Sequence, residues 1–441
     1  MRLFWRCLCC VLSGCWAAAL GAELVAGPMA GPAALREAAV WLQADATATA
    51  RIEFWGPDGK RRHSAGVRLA EADAYAATLH LTGLEPGTRY SYQVQFDGAA
   101  AGPAATIVTP ALWQWRGDPP QFTVLAGSCA FINDPPYDRP GKPYGGSSAI
   151  FAAMAARQPD LTLWLGDNLY FREVDFSPWG MAERYRLTRA LPELQPLLKT
   201  GQHAAIWDDH DYGPNDANAS WIHKGESLNL FRRYWPNPSY GLPETPGVFT
   251  VVSAGDADFF LLDDRYHRDA DRMPEDRHKS MLGAAQLRWL QNALLNSTAT
   301  FKIVANGSQM LNERNRKEGW NHFVDERAGF LAWLARSGIS GVLFLSGDQH
   351  HTELLKLERH GSYPLYELTC SPLTSRSHDV AALRDNPAVV AGTLVGEQNF
   401  CALEFRGSRG ERAVTLKSYA VDGRELWRRT LTRRELENAR N

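Results

Sequence analysis

Three apolar runs in this chain each end abruptly in a polar cluster, and that pattern restricts the fold more than any bulk property does. Phe122-Thr123-Val124-Leu125-Ala126 runs into Gly127-Ser128-Cys129, Leu161-Thr162-Leu163-Trp164-Leu165 into Gly166-Asp167-Asn168, and Gly341-Val342-Leu343-Phe344-Leu345-Ser346 into Gly347-Asp348-Gln349-His350. Short continuous apolar runs suit strands buried on both faces. A helix is predicted from Ser148 to Arg157, between the first two runs. Strand, helix, strand at this spacing predicts βαβ units and an α/β sheet. Ligands of open α/β sheets gather beyond the carboxyl ends of strands, where these clusters fall.

The clusters carry the donors of a two-metal centre. Asp167 has two oxygens with which to bridge cations, and the phenol of Tyr170 suits a hard ion such as ferric iron. Taken singly, that pair is better explained by Asp167 as a turn cap and Tyr170 as core. Trp207-Asp208-Asp209-His210-Asp211-Tyr212 follows the apolar Ala204-Ala205-Ile206. Successive ionisable groups after an apolar strand are costly to place without a compensating cation. Asp209 reads as a ligand and His210 as a donor to a substrate oxygen. Asp208, Asp211 and Asn215 would orient neighbours or hold another cation. On an extended segment Asp348 and His350 face one way, and His351 faces the other, towards the surface or a substrate edge. Cys129 by itself is a small buried hydrophobe; at a strand end facing carboxylates it becomes a candidate thiolate ligand.

The rest of the chain places this centre in context. Arg2 and Arg6 flank an apolar run from Cys7 to Leu20 that ends in Gly21-Ala22, the pattern of a secretory signal over residues 1–22. Leu12-Ser13-Gly14-Cys15 offers the alternative of a lipid anchor on Cys15. No later run is long and apolar enough for a transmembrane segment. Residues 26–112 read as short alternating strands of a β-sandwich, with no catalytic cluster. Within it, Leu84-Glu85-Pro86-Gly87-Thr88-Arg89-Tyr90 resembles the turn and late strand of fibronectin type III-like domains. A linker with Trp113 and Trp115 leads to the α/β domain, residues 120–432. The net charge of -2 gives no global basic field, so no nucleic-acid partner is expected. The α/β domain has no Gly-x-Ser-x-Gly elbow, which disfavours a serine hydrolase. The seven cysteines include Cys7, Cys9, Cys10 and Cys15 in the leader; with Cys129 set aside, Cys370 and Cys401 remain as a pair that an oxidising compartment could join. The Pro-, Gly- and Tyr-rich loop from Asp134 to Gly146 reads as a lid or substrate edge. Trp179, Tyr144 and Trp221 would pack in the core or line an opening, and the tail from Glu425 reads as a solvated helix.

Six motifs in order strengthen the metal reading. Gly127 to Cys129, Gly166 to Tyr170, Trp207 to Asp211, Leu262 to Arg265, Leu282 to Leu290 and Gly347 to His350 together resemble alkaline phosphatase D (PhoD-like) metallophosphoesterases. Gly27-Pro28-Met29 is similar to the opening of that family's N-terminal fibronectin-like domain. The resemblance covers nearly the whole chain after the leader. It implies a calcineurin-like four-layer α/β/β/α core preceded by the sandwich, and a phosphoesterase using Fe3+ and Ca2+, with other divalent metals open at the second position. Carried over by motif, Cys129, Asp167, Tyr170 and His350 would hold the ferric ion. Asp167, Asp209 and Asp348 would form the second side, where hard carboxylates suit calcium. His210 and Asp209 would be catalytic, with His210 beside the leaving group. Asn168 and Arg265 are expected to contact substrate; for Arg265 and Arg268, buried bracing of carboxylates is the alternative. The chain departs from the family pattern at Asp211, where Glu is common, at Asp264, where Thr is frequent, and at Gln349 and His351. The expected activity is hydrolysis of phosphate mono- or diesters, small molecules or phospholipids, by a metal-activated hydroxide without a covalent intermediate. A secreted or periplasmic monomer is expected. The competing reading, a non-catalytic secreted binding protein on the same scaffold, gains little from clustered buried carboxylates.

Overall fold

The computed structural model describes residues 21–438, so the expected leader up to residue 20, with Cys15, lies outside the described residues. Two mixed sheets, of nine and six strands, carry the α/β part. In the first, Phe122–Gly127, Leu161–Leu165 and Gln202–Ile206 lie side by side and parallel. The chain passes between them through helix Ala149–Ala156 and then through helices Pro178–Arg189 and Gln195–Leu198. In the second, Ala257–Leu261, Phe301–Asn306 and Val342–Ser346 are parallel, connected through helices Ala284–Asn296 and Val324–Ser337. The predicted helix and the predicted strands stand within a residue or two of their expected places. Leu161–Leu165 and Val342–Ser346 are buried at every position, which is why their sequences are continuously apolar rather than alternating.

The sheets pack on each other through Phe405 of the strand Asn399–Arg406. Its ring lies 6.1 Å from Phe259 and 5.4 Å from Phe301 of the opposite sheet. All three belong to one contiguous buried cluster. The packing brings the carboxyl ends of both sheets to a common edge. Contact there is close: a Cβ on Gly347 would stand 2.6 Å from the Ser128 side chain. Gly166, at φ +88, would meet Asp208 at 2.6 Å. Glycine at these two strand ends is what lets the polar clusters converge.

The N-terminal strands are not a separate layer hung on this core. Leu24–Ala30, Glu37–Ala44 and Ala76–Thr82 complete the nine-stranded sheet, with Ala30 paired in parallel with Gln202. The remaining strands, centred on Ala48–Trp55 and Arg89–Phe96, form a further sheet. The alternation of side chains along Glu37–Ala44 explains the fusion. Val40 and Leu42 face a small N-terminal cluster with Ile52, Leu79 and Val94, whereas Trp41 faces the main core, its ring 5.7 Å from Tyr234. Tyr90 fixes the preceding turn by accepting a hydrogen bond from the Glu85 N–H at 2.8 Å.

The tail is not a helix. Glu425–Thr432 is an edge strand paired antiparallel with Ala413–Ala420. Trp427 and Leu431 are buried while Arg428 and Arg429 are exposed. A spacing of four residues lies on one face of a helix and of a strand alike, so the pattern did not separate them; the exposed arginines protect the edge from further pairing. Cys370 and Cys401 form a disulfide with Cα atoms 6.0 Å apart, and Cys129 is free and buried. Among the described residues, no helix is long and apolar enough to cross a membrane.

Candidate metal centre

At the common edge the backbone reverses sharply. Cys129 (φ 61), Asp167 (φ 52), Asp348 (φ 65) and His350 (φ 56) all adopt the left-handed conformation, which costs a non-glycine residue roughly 1–2 kcal/mol. Strain of this kind persists where surrounding structure imposes it, commonly at binding sites. It also corrects the basis on which Asp348 and His350 were expected to share a face: the segment is turned, not extended.

Cys129, Asp167 and His350 each present a donor atom within 4.8 Å of the other two. Cys129 Sγ is 3.6 Å from Asp167 Oδ2. The Tyr170 hydroxyl donates to the same Oδ2 at 2.9 Å and lies 3.3 Å from His350 Nε2. His350 Nδ1 is 2.7 Å from the Arg376 carbonyl oxygen. A carbonyl can only accept, so the ring proton sits on Nδ1 and Nε2 is left free to ligate. The four residues expected around the ferric ion therefore meet at one point.

Asp167, Asp209 and His210 form a second such group, and Asp209, Asp216 and Glu318 a third. Sharing of Asp167 and Asp209 joins the three groups into a row. Asp216 and Glu318 carry no motif that singles them out in the sequence. The Asp216 N–H donates to Asp209 Oδ2 at 2.8 Å, and Glu318 arrives from the loop beyond Phe301–Asn306. Asp348 is not part of these three groups; its carboxylate accepts from the Gln349 side chain.

The electrostatics call for positive charge. Burial, followed by repulsion from Asp209, Cys129, Asp211 and Asp348, pushes the Asp167 carboxyl well above its ordinary range. Burial and the neighbouring Glu318 and Asp209 raise Asp348 to about 7. Burial raises the Cys129 thiol to about 11 against the opposing hydrogen bonds of Ser128 and Ser371. Burial would raise Asp209 too, but His210, Arg265 and the Asp216 N–H outweigh it and hold this carboxyl at about 2. Acidic groups packed this closely out of water need a cation to ionise together. A thiol, a phenol, an imidazole and a carboxylate on one side fit a ferric ion; the carboxylates of Asp209, Asp216 and Glu318 on the other fit an oxygen-seeking divalent ion.

The supporting residues differ from expectation in several places. Arg265 makes the carboxylate-bracing contacts that were the alternative for it. It is fully buried, with Nε donating to Asp208 Oδ1 at 2.5 Å and two further N–H groups to Glu318 at 2.9 and 3.0 Å. Arg268 is likewise buried, with Nη2 donating to Asp271 Oδ1 at 2.8 Å. Asn168, the other expected substrate contact, commits its amide N–H groups to the Ile206 carbonyl at 2.7 Å and to Asp211 at 2.6 Å. Asp211 also accepts the N–H groups of Asp167, Asn168 and Asp208, so it orients both acidic turns. His351 is buried, its Nε2 3.4 Å from Glu353, not at the surface. Tyr144, from the expected lid, reaches to 3.2 Å from His350 Nδ1, whereas Trp179 is 77% exposed and packs in no core. His210 keeps 24% of its side chain exposed, sets its ring 4.2 Å from that of Tyr170 at a tilt of 33° and holds Nε2 3.9 Å from Asp209.

Two packed mixed sheets with linked acidic donor groups at their shared carboxyl edge define a metallophosphoesterase-like α/β fold. Solved structures agree on the fold. A structure of PhoD superposes with a TM-score of 0.73 at 17% identity, over 93% of this chain and 89% of that one. A purple acid phosphatase from yellow lupin (Lupinus luteus) seeds superposes with a TM-score of 0.68 at 11% identity, over 93% of this chain and 74% of that one. Alkaline phosphatase D of Bacillus subtilis (strain 168) is 24% identical over 340 residues, 65% of this chain and 55% of the relative, so the match spans about half the length of that protein. The PhoD-like phosphatase family model matches residues 127–423, more than half of the chain. The chain belongs to the PhoD-like phosphatase family. Residues 21–112 match a domain of unknown function.

Proposed function

We propose that this protein is a secreted metallophosphoesterase that hydrolyses phosphate mono- or diesters at a centre built for Fe3+ and Ca2+. The observation that carries the reading is the row of three donor groups linked by Asp167 and Asp209. Cys129, Asp167, Tyr170 and His350 would hold the ferric ion. Asp167 and Asp209, with Asp348, Asp216 or Glu318, would hold the second cation. When bound, such a pair supplies charge compensation for the phosphoryl oxygens and a nucleophilic oxygen near neutral pH. The apolar leader and the Cys370–Cys401 disulfide support export to an oxidising compartment.

The chain's own contribution beyond ligation centres on His210. Burial lowers its pKa from the ordinary imidazole value even against the pull of Asp209, which favours the neutral ring that keeps one N–H. Its ring lies against that of Tyr170 and is partly open to solvent, which supports a role in giving an N–H hydrogen bond to the departing ester oxygen. His210→Ala is expected to lower turnover by about 10²-fold or more while bound metal, measured by elemental analysis, is retained. Loss of both metals in that variant would make His210 a ligand instead.

Metal analysis of the purified protein beside hydrolysis of 4-nitrophenyl phosphate and bis(4-nitrophenyl) phosphate tests the whole reading. Iron with calcium, and activity abolished by a chelator, is the expected result. Full activity in protein stripped of metal would overturn it, and the ratio of the two rates assigns monoester or diester preference.

A further inference from the structure

We infer that residues 371–376 form the positioning element of the thiolate side of this centre, and that the Ser371 hydroxyl tunes Cys129 as a ligand. The inference rests on the ferric site proposed above. Ser371 is fully buried, and its hydroxyl accepts the His350 N–H at 2.9 Å and donates to Cys129 Sγ at 3.0 Å. One buried hydroxyl thus touches two of the four expected ferric ligands. The same short segment reaches the other groups in turn. Ser375 Oγ donates to the Tyr170 hydroxyl at 3.2 Å, and the Arg376 carbonyl takes the His350 Nδ1 proton at 2.7 Å. The N–H groups of Thr374 and Ser375 both donate to the Cys129 carbonyl, at 3.2 and 3.0 Å, and that of Leu373 to the Ser128 carbonyl at 2.8 Å. Cys129, Tyr170 and His350 are therefore all held by residues of one short loop.

The loop is anchored where the two sheets meet. It follows the strand Leu365–Thr369 of the six-stranded sheet, and Cys370 at its start is bonded to Cys401 in a strand of the nine-stranded sheet. The disulfide ties both sheets directly beneath the ligand cradle. A hydrogen bond to a metal thiolate withdraws electron density from sulfur and stabilises the thiolate, and groups in this position typically change metal affinity by about 10- to 100-fold.

The test uses the full chain loaded with ferric iron. Tyrosinate and thiolate ligands give charge-transfer absorption in the visible. In Ser371→Ala this absorption is expected to move to longer wavelength, and iron affinity, read by equilibrium competition with a chelator, to fall about 10- to 100-fold, so that more iron is lost. Ser371→Thr keeps the hydroxyl and is expected to restore both readouts. Ser375→Ala removes only the hydroxyl at Tyr170; it is expected to shift the phenolate band and leave any thiolate band in place, and it carries the test should Ser371→Ala unfold by circular dichroism. Wild-type absorption and wild-type iron loss in both alanine variants would overturn the positioning role while leaving the ferric site standing. A wild-type chain that develops no charge-transfer band with ferric iron would overturn the ferric reading and this inference with it.

Discussion

An Asp167→Ala chain is expected to fold, to lose the metal pair and to hydrolyse phosphate esters on the order of 10³- to 10⁴-fold more slowly, the several kcal/mol of charge stabilisation that bound metal supplies. Asp167 is 1% exposed, and its two oxygens serve different partners: Oδ2 meets Tyr170 and Cys129, and Oδ1 accepts the His210 N–H at 3.2 Å. It is also one of the two residues shared between donor groups, so no neighbour replaces it. The variant should nevertheless be no less stable than metal-free wild type, because burial and the surrounding acids already disfavour a charge there.

The sign of the accompanying pH dependence follows from the acidic neighbours. Asp211 and Asp348 sit at about 7 in the folded chain against an ordinary value of 3.8. The folded state then holds protons that the unfolded chain releases. Their contribution to the stability of metal-free protein is greatest below about pH 4 and declines as pH rises to about 7, by on the order of a few kcal/mol. Asp167 adds to the same decline, so the Asp167→Ala slope should be shallower. Denaturant unfolding in chelator between pH 4 and 8, with initial rates on nitrophenyl esters, checks both statements. A variant turning over at the wild-type rate would remove the basis of the two-metal reading.

Arg265→Ala is expected to be the most destabilising single change at the site, by about 3–5 kcal/mol. The guanidinium spans Asp208, at the end of the nine-stranded sheet, and Glu318, beyond the six-stranded sheet, and both Arg265 and Asp208 are fully buried. Deletion strands two carboxylates out of water; desolvation of an unpaired charge, more than loss of the pair's attraction, sets the size of the effect. Arg265→Lys should recover little, since an ammonium cannot make the two-pronged contact to Glu318 and still reach Asp208. Urea unfolding of both variants measures this directly. A loss under about 1 kcal/mol would be the value for an exposed pair and would rule out the bracing role.

What could be read from the sequence was local. The runs ending at Cys129, Asp167 and Asp348 announced themselves by unbroken apolar composition, because a strand covered on both faces has no polar side to show. Cys129, Asp167, Tyr170, Asp209, His210 and His350 could be proposed from the sequence because each follows a strand end within a few residues, where the chain must stop being apolar. Trp41 was less legible: a buried tryptophan in an alternating strand says that both faces are covered but not by what. Arg265 was ambiguous for a related reason, since an arginine beside two aspartates suits a phosphate as well as a carboxylate until its burial is known.

The sequence by itself determined the α/β class, the strand ends that bear donors and the chemical types of those donors, since hydrophobic periodicity and residue chemistry act over a few neighbouring positions. Only the tertiary structure decided which donors meet. It brought Asp216 and Glu318 to Asp209, placed the Ser371 and Ser375 hydroxyls on Cys129 and Tyr170 and merged the N-terminal strands into the core sheet. These outcomes depend on the packing of one sheet on another and on left-handed turns at their ends. Both are set by contacts between residues remote in sequence, which leave no periodicity along the chain to read.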